Sequence, residues 1–148
     1  MEMNRWYVSL GVLCFCLSGV AYGALLRNPE EAKELAEKIL GRVMVGDLDG
    51  IVTVVKPYWP FPEEELEALV VQTVQQRALL APRLGKSVGY TLVRREHVAE
   101  ILLRLTYLER FEPTSLRWQF LFYKSRDTWK FQRFTWDDDL NKVFIGGQ

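Results

Sequence analysis

The sequence predicts an α+β fold in which N-terminal helices pack on a curved antiparallel four-stranded sheet. Two observations carry that expectation. Apolar residues recur at helical spacing in three segments before Gly85, and after Gly85 the period changes to two. The stretch RWQFLFYKSRDTWKFQRFTW, from Arg117 to Trp136, then reads as a β-hairpin dense in aromatic rings.

The first 23 residues stand apart from that fold. Trp6 to Tyr22 is apolar and uncharged, follows Arg5, and ends in Ala21-Tyr22-Gly23, a small-x-small pattern of the kind a signal peptidase cleaves. The expectation is a signal peptide over 1–23 and a single α+β domain over 24–148. The alternative is an uncleaved anchor, because the run approaches membrane-spanning length. Both cysteines, Cys14 and Cys16, lie inside the run, and neither follows the small residue that a lipoprotein signal requires. The mature chain would have no disulfide and no thiol chemistry, and would depend on its core alone in an oxidising space such as a periplasm or the cell exterior.

The helices follow in order. Asn28-Pro29-Glu30-Glu31 supplies a cap, a proline for the first helical position and the acid of a capping box. Ala32, Leu35, Ala36, Ile39 and Val43 form the buried stripe of the first helix, and Gly46 stops it. Asp47 caps a shorter second helix through Leu48, Ile51, Val52 and Val55. The prolines of Lys56 to Pro62 exclude a regular helix there. A third helix begins near Pro62, with acidic residues at its positive end and a stripe of Leu66, Leu69, Val70, Thr73 and Val74. Pro82 and Gly85 are expected to close it.

The strands begin with Val88, Tyr90 and Leu92, after which Arg94 to His97 is expected to turn. The next strand places Ala99, Ile101, Leu103, Leu105 and Tyr107 on one face and Glu100, Leu102, Arg104, Thr106 and Leu108 on the other. Glu112-Pro113-Thr114 makes the following turn. In the hairpin, a four-residue loop from Ser125 to Thr128 pairs Lys124 with Trp129. That register puts Trp118, Phe120, Phe122, Trp129 and Phe131 on a core face. Leu121, Tyr123, Phe134 and Trp136 fall on the second face, as a surface for a protein partner or a second copy of the chain. A one-residue slip would exchange the faces.

Three helices followed by an antiparallel meander, the Gly46-Asp47-Leu48-Asp49-Gly50 junction, and Asp127-Thr128-Trp129-Lys130 opening the last strand together resemble the nuclear-transport-factor-2-like superfamily. This is the cystatin-like α+β cone that also holds SnoaL-like proteins. The resemblance implies a cone-shaped pocket between sheet and helices, and frequent dimerisation through the sheet. Some members use the pocket for catalysis and many are non-catalytic binding modules, so the fold leaves function open.

Composition narrows the function classes. Nineteen basic and 19 acidic residues give a formal charge of zero, which argues against a nucleic-acid binder and against electrostatic membrane binding once the signal is cleaved. Walker, GxGxxG, HExxH and GxSxG motifs are absent from the sequence, so no cofactor is expected. Asp137-Asp138-Asp139 cannot converge on one ion, and Asp137 or Asp138 is better used as the cap of a short terminal helix through Leu140, Val143 and Phe144. His97 and Glu96 are adjacent, point to opposite sides of an extended chain and make a poor catalytic pair. Glu100 and Arg104 share a strand face, as an ion pair in the pocket or as plain solvent-side charges. Tyr90 is a pocket candidate that also suits the core. Tyr58, Trp59 and Phe61 either cap the open end of the core or form a lip over the pocket. The chain is therefore expected to be an exported non-catalytic module with no catalytic residue and no metal, binding a small apolar molecule or a protein partner, as a homodimer or otherwise. The alternative is a SnoaL-like acid/base enzyme of the isomerase or dehydratase type.

Overall fold

The computed structural model describes residues 24–144. The apolar run, both cysteines and the Ala21-Tyr22-Gly23 pattern lie outside these residues. Within them, three α-helices pack on one four-stranded antiparallel sheet of order β1-β2-β3-β4, which is not closed into a barrel.

Helix α1 (Pro29–Met44) starts as its sequence requires: the Asn28 side chain accepts from Glu31 N–H at 2.9 Å, and Glu31 in turn accepts from the Arg27 N–H at 2.6 Å. Its apolar stripe, Ala32 to Val43, is buried against the sheet. Gly46 adopts φ +75° just beyond the end, so that its N–H reaches Val43 O and the Asp47 N–H reaches Arg42 O. This is the closing motif that favours glycine. Helix α2 (Gly50–Val55) begins two residues later than expected, so its N-cap is Asp49, which makes no side-chain cap bond; Asp47 lies outside the helix and accepts from the Gly50 N–H at 2.9 Å. Helix α3 (Glu63–Leu84) runs through Pro82 rather than stopping at it, and Gly85 at φ +70° ends it. Leu66, Val70 and Thr73 are buried as the helical period requires.

Strand β1 (Ser87–Val98) corrects the first strand boundary. Arg94 to His97 do not turn; they pair with Thr106 to Leu103 of β2 (Leu102–Phe111). The charges that suggest a loop have partners: Glu96 meets Arg104 across the strands at 2.7 Å, and Arg95 meets Glu30 of α1 at 2.5 Å. The turn is Ala99-Glu100, both at positive φ, closed by Ile101 N–H to Val98 O. Glu100 therefore lies on an exposed turn and does not share a strand face with Arg104.

Strands β3 (Ser115–Ser125) and β4 (Thr128–Asp137) pair Lys124 with Trp129 as expected. The pairing extends to Ser125 and Thr128, leaving Arg126-Asp127 as a two-residue turn with Arg126 at φ +56°. The loop stays even in length, so the faces near the turn are those the sequence gives. Farther along they are not. A bulge separates the Phe122–Phe131 pair from the Leu121–Arg133 pair, with Gln132 as the extra residue. One extra residue reverses the parity of everything beyond it. Phe134 and Trp136 consequently turn to the core side opposite Phe120 and Trp118, and Phe134 is buried. Both leave the expected partner face, while Leu121 and Tyr123 remain on it.

The core lies between the layers. Trp118, Phe120, Phe122, Phe131 and Phe134 are fully buried there, with Trp118 stacked on Trp136 at 5.9 Å between ring centres. Beyond β4 the chain folds back as a short 3-10 turn, Leu140–Val143, against β3. Its cap is Asp139, which accepts from the Asn141 N–H at 3.2 Å; Asp137 and Asp138 do not serve.

Candidate outer-face site

Among the described residues, side chains take up most of the space between sheet and helices, leaving a cleft of about 150 Å³ between α3 and β4, and the buried carboxylate there, Glu109, is already partnered. Glu109 continues the inward face of Leu103, Leu105 and Tyr107 and has no exposed surface. Arg77 of α3 donates to both of its oxygens, at 2.8 and 3.3 Å, and the Trp118 indole N–H donates at 2.9 Å. Both residues were legible from period alone. Glu109 falls two past Tyr107, and Arg77 follows Leu66, Val70 and Thr73 at helical spacing. Tyr90 packs edge-on to Tyr107 at 5.9 Å. Burial first, and then the neighbouring Glu37 carboxylate, push the Tyr107 hydroxyl well above the ordinary tyrosine range, so it stays protonated.

The proline-rich loop closes this core. Trp59 lies against Phe131 at 5.9 Å and donates its indole N–H to Pro62 O at 3.0 Å. Phe61 meets Trp59 edge-on at 5.1 Å and is exposed, while Tyr58 is half-buried against the core. His97 sits edge-on to Trp129 at 6.3 Å.

The two larger clefts lie on the outer face of the sheet, where strand register sorts the side chains into rows. One row runs Arg94, Thr106, Gln119, Thr135. The next runs Glu96, Arg104, Leu121, Arg133, and the last before the turns runs Val98, Leu102, Tyr123, Lys130. Three adjoining clefts share Arg104. One of about 310 Å³ reaches Arg94, Arg117 and Lys142; one of about 410 Å³ reaches Val98, Leu102 and Leu121; one of about 120 Å³ reaches Arg133.

The terminal turn shapes the first cleft. Arg94 donates to Val143 O, and Lys142 lies 3.6 Å from both Asp137 and Asp139. Under this cover Thr106 and Arg117 are buried although they belong to the outer face. Arg117 donates through Nε and Nη2 to Asp137. Burial works against the Asp137 carboxylate, but the hydrogen bond and charge of Arg117 outweigh it and hold the group below its ordinary range. On the other flank the Arg104 hydrogen bond likewise holds Glu96 low. Asp138 points away from the other two aspartates, 3.9 Å from Arg83, while Asp137 faces Arg117, Asp139 caps the turn and both lie near Lys142. Among the described residues no group of three His, Cys, Asp or Glu side chains is placed to hold a metal ion.

Of the residues singled out in the sequence, the structure brings Arg104, Leu121 and Tyr123 together on this face. It separates Glu100, Phe134 and Trp136 from it. Tyr58, Trp59 and Phe61 lie in the segment between α2 and α3, and Tyr90 lies on the inward face of β1. Arg94, Thr106, Gln119 and Lys142 were missed as a group, because only pairing of three strands and return of the C-terminal segment make them neighbours. Comparisons with family models, with curated proteins and with solved structures found no match.

Proposed function

We propose that the chain is an exported, non-catalytic binding module of the nuclear-transport-factor-2-like kind, working through the outer face of its sheet. The carrying observation is the division of space: large rings take up most of the interlayer region where a ligand pocket was expected, leaving about 150 Å³ between α3 and β4, and the two larger clefts lie outside around Arg104. An interior so largely occupied by side chains favours an interaction protein over a cavity for a small apolar molecule. Leu121, Tyr123, Val98 and Leu102 give the outer face an apolar end beside its charged middle, the mixture that protein interfaces use. Trp6 to Tyr22 with Ala21-Tyr22-Gly23 supports export to a periplasm or the cell exterior. Among the described residues no helix is long and apolar enough to cross a membrane.

The direct test takes a second copy of the chain as partner. Leu121→Ser with Tyr123→Ser should leave the unfolding midpoint within a few degrees of wild type and weaken self-association measured by sedimentation over a range of concentrations. A wild type that remains monomeric throughout removes the homodimer and leaves a different protein as the partner. The acid/base enzyme is the second reading, and one observation favours it: a fully buried carboxylate, Glu109, register partner of Tyr90. Its hydrogen bonds to Arg77 and Trp118 oppose a proton-transfer role. A Glu109→Gln variant that folds normally but loses an isomerase or dehydratase activity would reverse the preference.

A further inference from the structure

We propose that the solvent side of α3 is a self-association surface, on which a second copy of the chain docks its own α3 antiparallel, about a two-fold axis near Gln75. This goes beyond the outer-face reading, because α3 packs on the opposite side of the sheet. The helix buries Leu66, Val70 and Thr73, and Arg77 on the same side reaches Glu109. Its other side is apolar too. Leu79 is 80% exposed and Val71 53%, with Gln75 between them at helical spacing and Ala68, Ala78 and Pro82 alongside. From Ala68 to Pro82 the sequence has one charge, that of the inward Arg77. A helix whose outer side meets only water normally carries charged and polar residues there.

Charge complementarity names a second copy as the occupant. The charges of α3 stand at its ends and divide by sign. Glu63, which holds Lys56 at 2.7 Å, is followed by Glu64, Glu65 and Glu67. Arg83 and Lys86 stand at the other end. An antiparallel partner sets the acidic end against the basic end at both extremities, whereas a parallel one sets like against like. The helix dipoles favour the same direction. The spacing fits one axis. A whole number of turns, about five, separates Glu65 from Arg83, so both lie on one flank of the helix. Val71 and Leu79 are centred on Gln75, and Glu65 and Arg83 on Val74. One two-fold therefore brings Val71 to the partner's Leu79 and Glu65 to the partner's Arg83. Arg83 is 74% exposed and only loosely held, 3.9 Å from Asp138, so it can make this exchange. Such an interface uses the same patch on both copies and closes as a dimer.

The test is sedimentation of the purified chain over a range of concentrations. The wild type should form a dimer. Leu79→Lys should weaken it by about ten-fold or more, because each copy loses a leucine buried by association. Val71→Gln should weaken it as well and replaces the first variant if that one fails to fold. Glu65→Lys and Arg83→Glu should each weaken the dimer by about three-fold or more, and both changes in one chain should restore it, which a parallel pairing would not allow. Glu34→Lys, on α1, should change nothing. A dimer indifferent to Leu79 and Val71, or a charge exchange that restores nothing, would overturn the antiparallel α3 pairing. A wild type that stays monomeric throughout would overturn it too, and leaves the outer face to a different protein. Association lost in Leu121→Ser with Tyr123→Ser but kept in Leu79→Lys would assign the dimer to the sheet and sink the α3 surface alone. The reverse result supports α3 and frees the outer face for another partner.

Discussion

Glu109 and Arg77 show what one buried pair does at the scale of single residues. The pair ties α3 to β2, and the indole of Trp118 completes it. Removing one member strands a charge, which costs about 3–5 kcal/mol where the pair is fully buried and less where, as here, Arg77 keeps some exposure. Glu109→Ala should therefore lower the denaturant midpoint strongly. Arg77→Met with Glu109→Leu should recover much of the loss, because two apolar groups leave nothing unpaired. A double variant no better than the single would show that shape, not charge, dominates the site. Glu96 carries the complementary pH prediction. Arg104 holds its folded pKa below the ordinary 4.5, so its stabilisation is present above that value and is lost as pH falls through the lowered one. Glu96→Gln should lower the unfolding midpoint slightly at neutral pH, by less than about 1 kcal/mol for so exposed a pair, and the difference should vanish in strong acid. A difference that persists in acid would assign the effect to packing.

At the scale of elements, turns and bulges decide the sheet: β1 is irregular between Ser87 and Gly89 and between Leu92 and Arg94, and the hairpin between Leu121 and Phe122. Ala99 and Glu100 both occupy the left-handed region, where asparagine and glycine are preferred. Glu100→Gly should raise stability by about 1 kcal/mol, since the backbone strain of a non-glycine residue there is of that order. An unchanged or lower unfolding midpoint would place the turn elsewhere. The bulge at Gln132 makes a sharper claim. Phe134→Ala and Phe120→Ala should each cost about 3–5 kcal/mol, as buried aromatic truncations do, whereas Tyr123→Ala should cost far less. Equal costs at 123 and 134 would mean that the hairpin runs without its bulge. The sequence shows both strands and the Lys124–Trp129 pair, because alternation is local. It does not show the bulge, because Phe131-Gln132-Arg133-Phe134 reads equally well with either parity. What selects one is the burial gained when Phe134 meets Trp118 and Phe131.

Export and surface use belong to the whole molecule. If the apolar start is a signal, the mature protein should lack about the first 23 residues by intact-mass measurement. Full-length chain retained in the cytosol would remove the export proposal. An exported chain would have to hold its fold in an oxidising space without any disulfide, since the sequence after Cys16 contains no cysteine. Stability rests on the interlayer rings and on cross-layer ties such as Arg95–Glu30 and the bridge in which Trp129 N–H donates to Leu26 O at 2.8 Å.

By itself the sequence determined the helix stripes, the cap at Asn28, the α+β order and the inward faces near the hairpin turn. Each follows from residues within a few positions of one another, where period and backbone preference act directly. Only the tertiary structure decided that Arg94 to His97 continue a strand, that Phe134 and Trp136 face inward, and that Arg94, Arg104, Arg117 and Lys142 surround one cleft. Those outcomes depend on partners far along the chain: Glu30 for Arg95, Trp118 for Phe134, and the returning Leu140–Val143 turn for the cleft. The energy that selects them is released only when distant segments bury surface together or bring opposite charges together, so no local pattern records it.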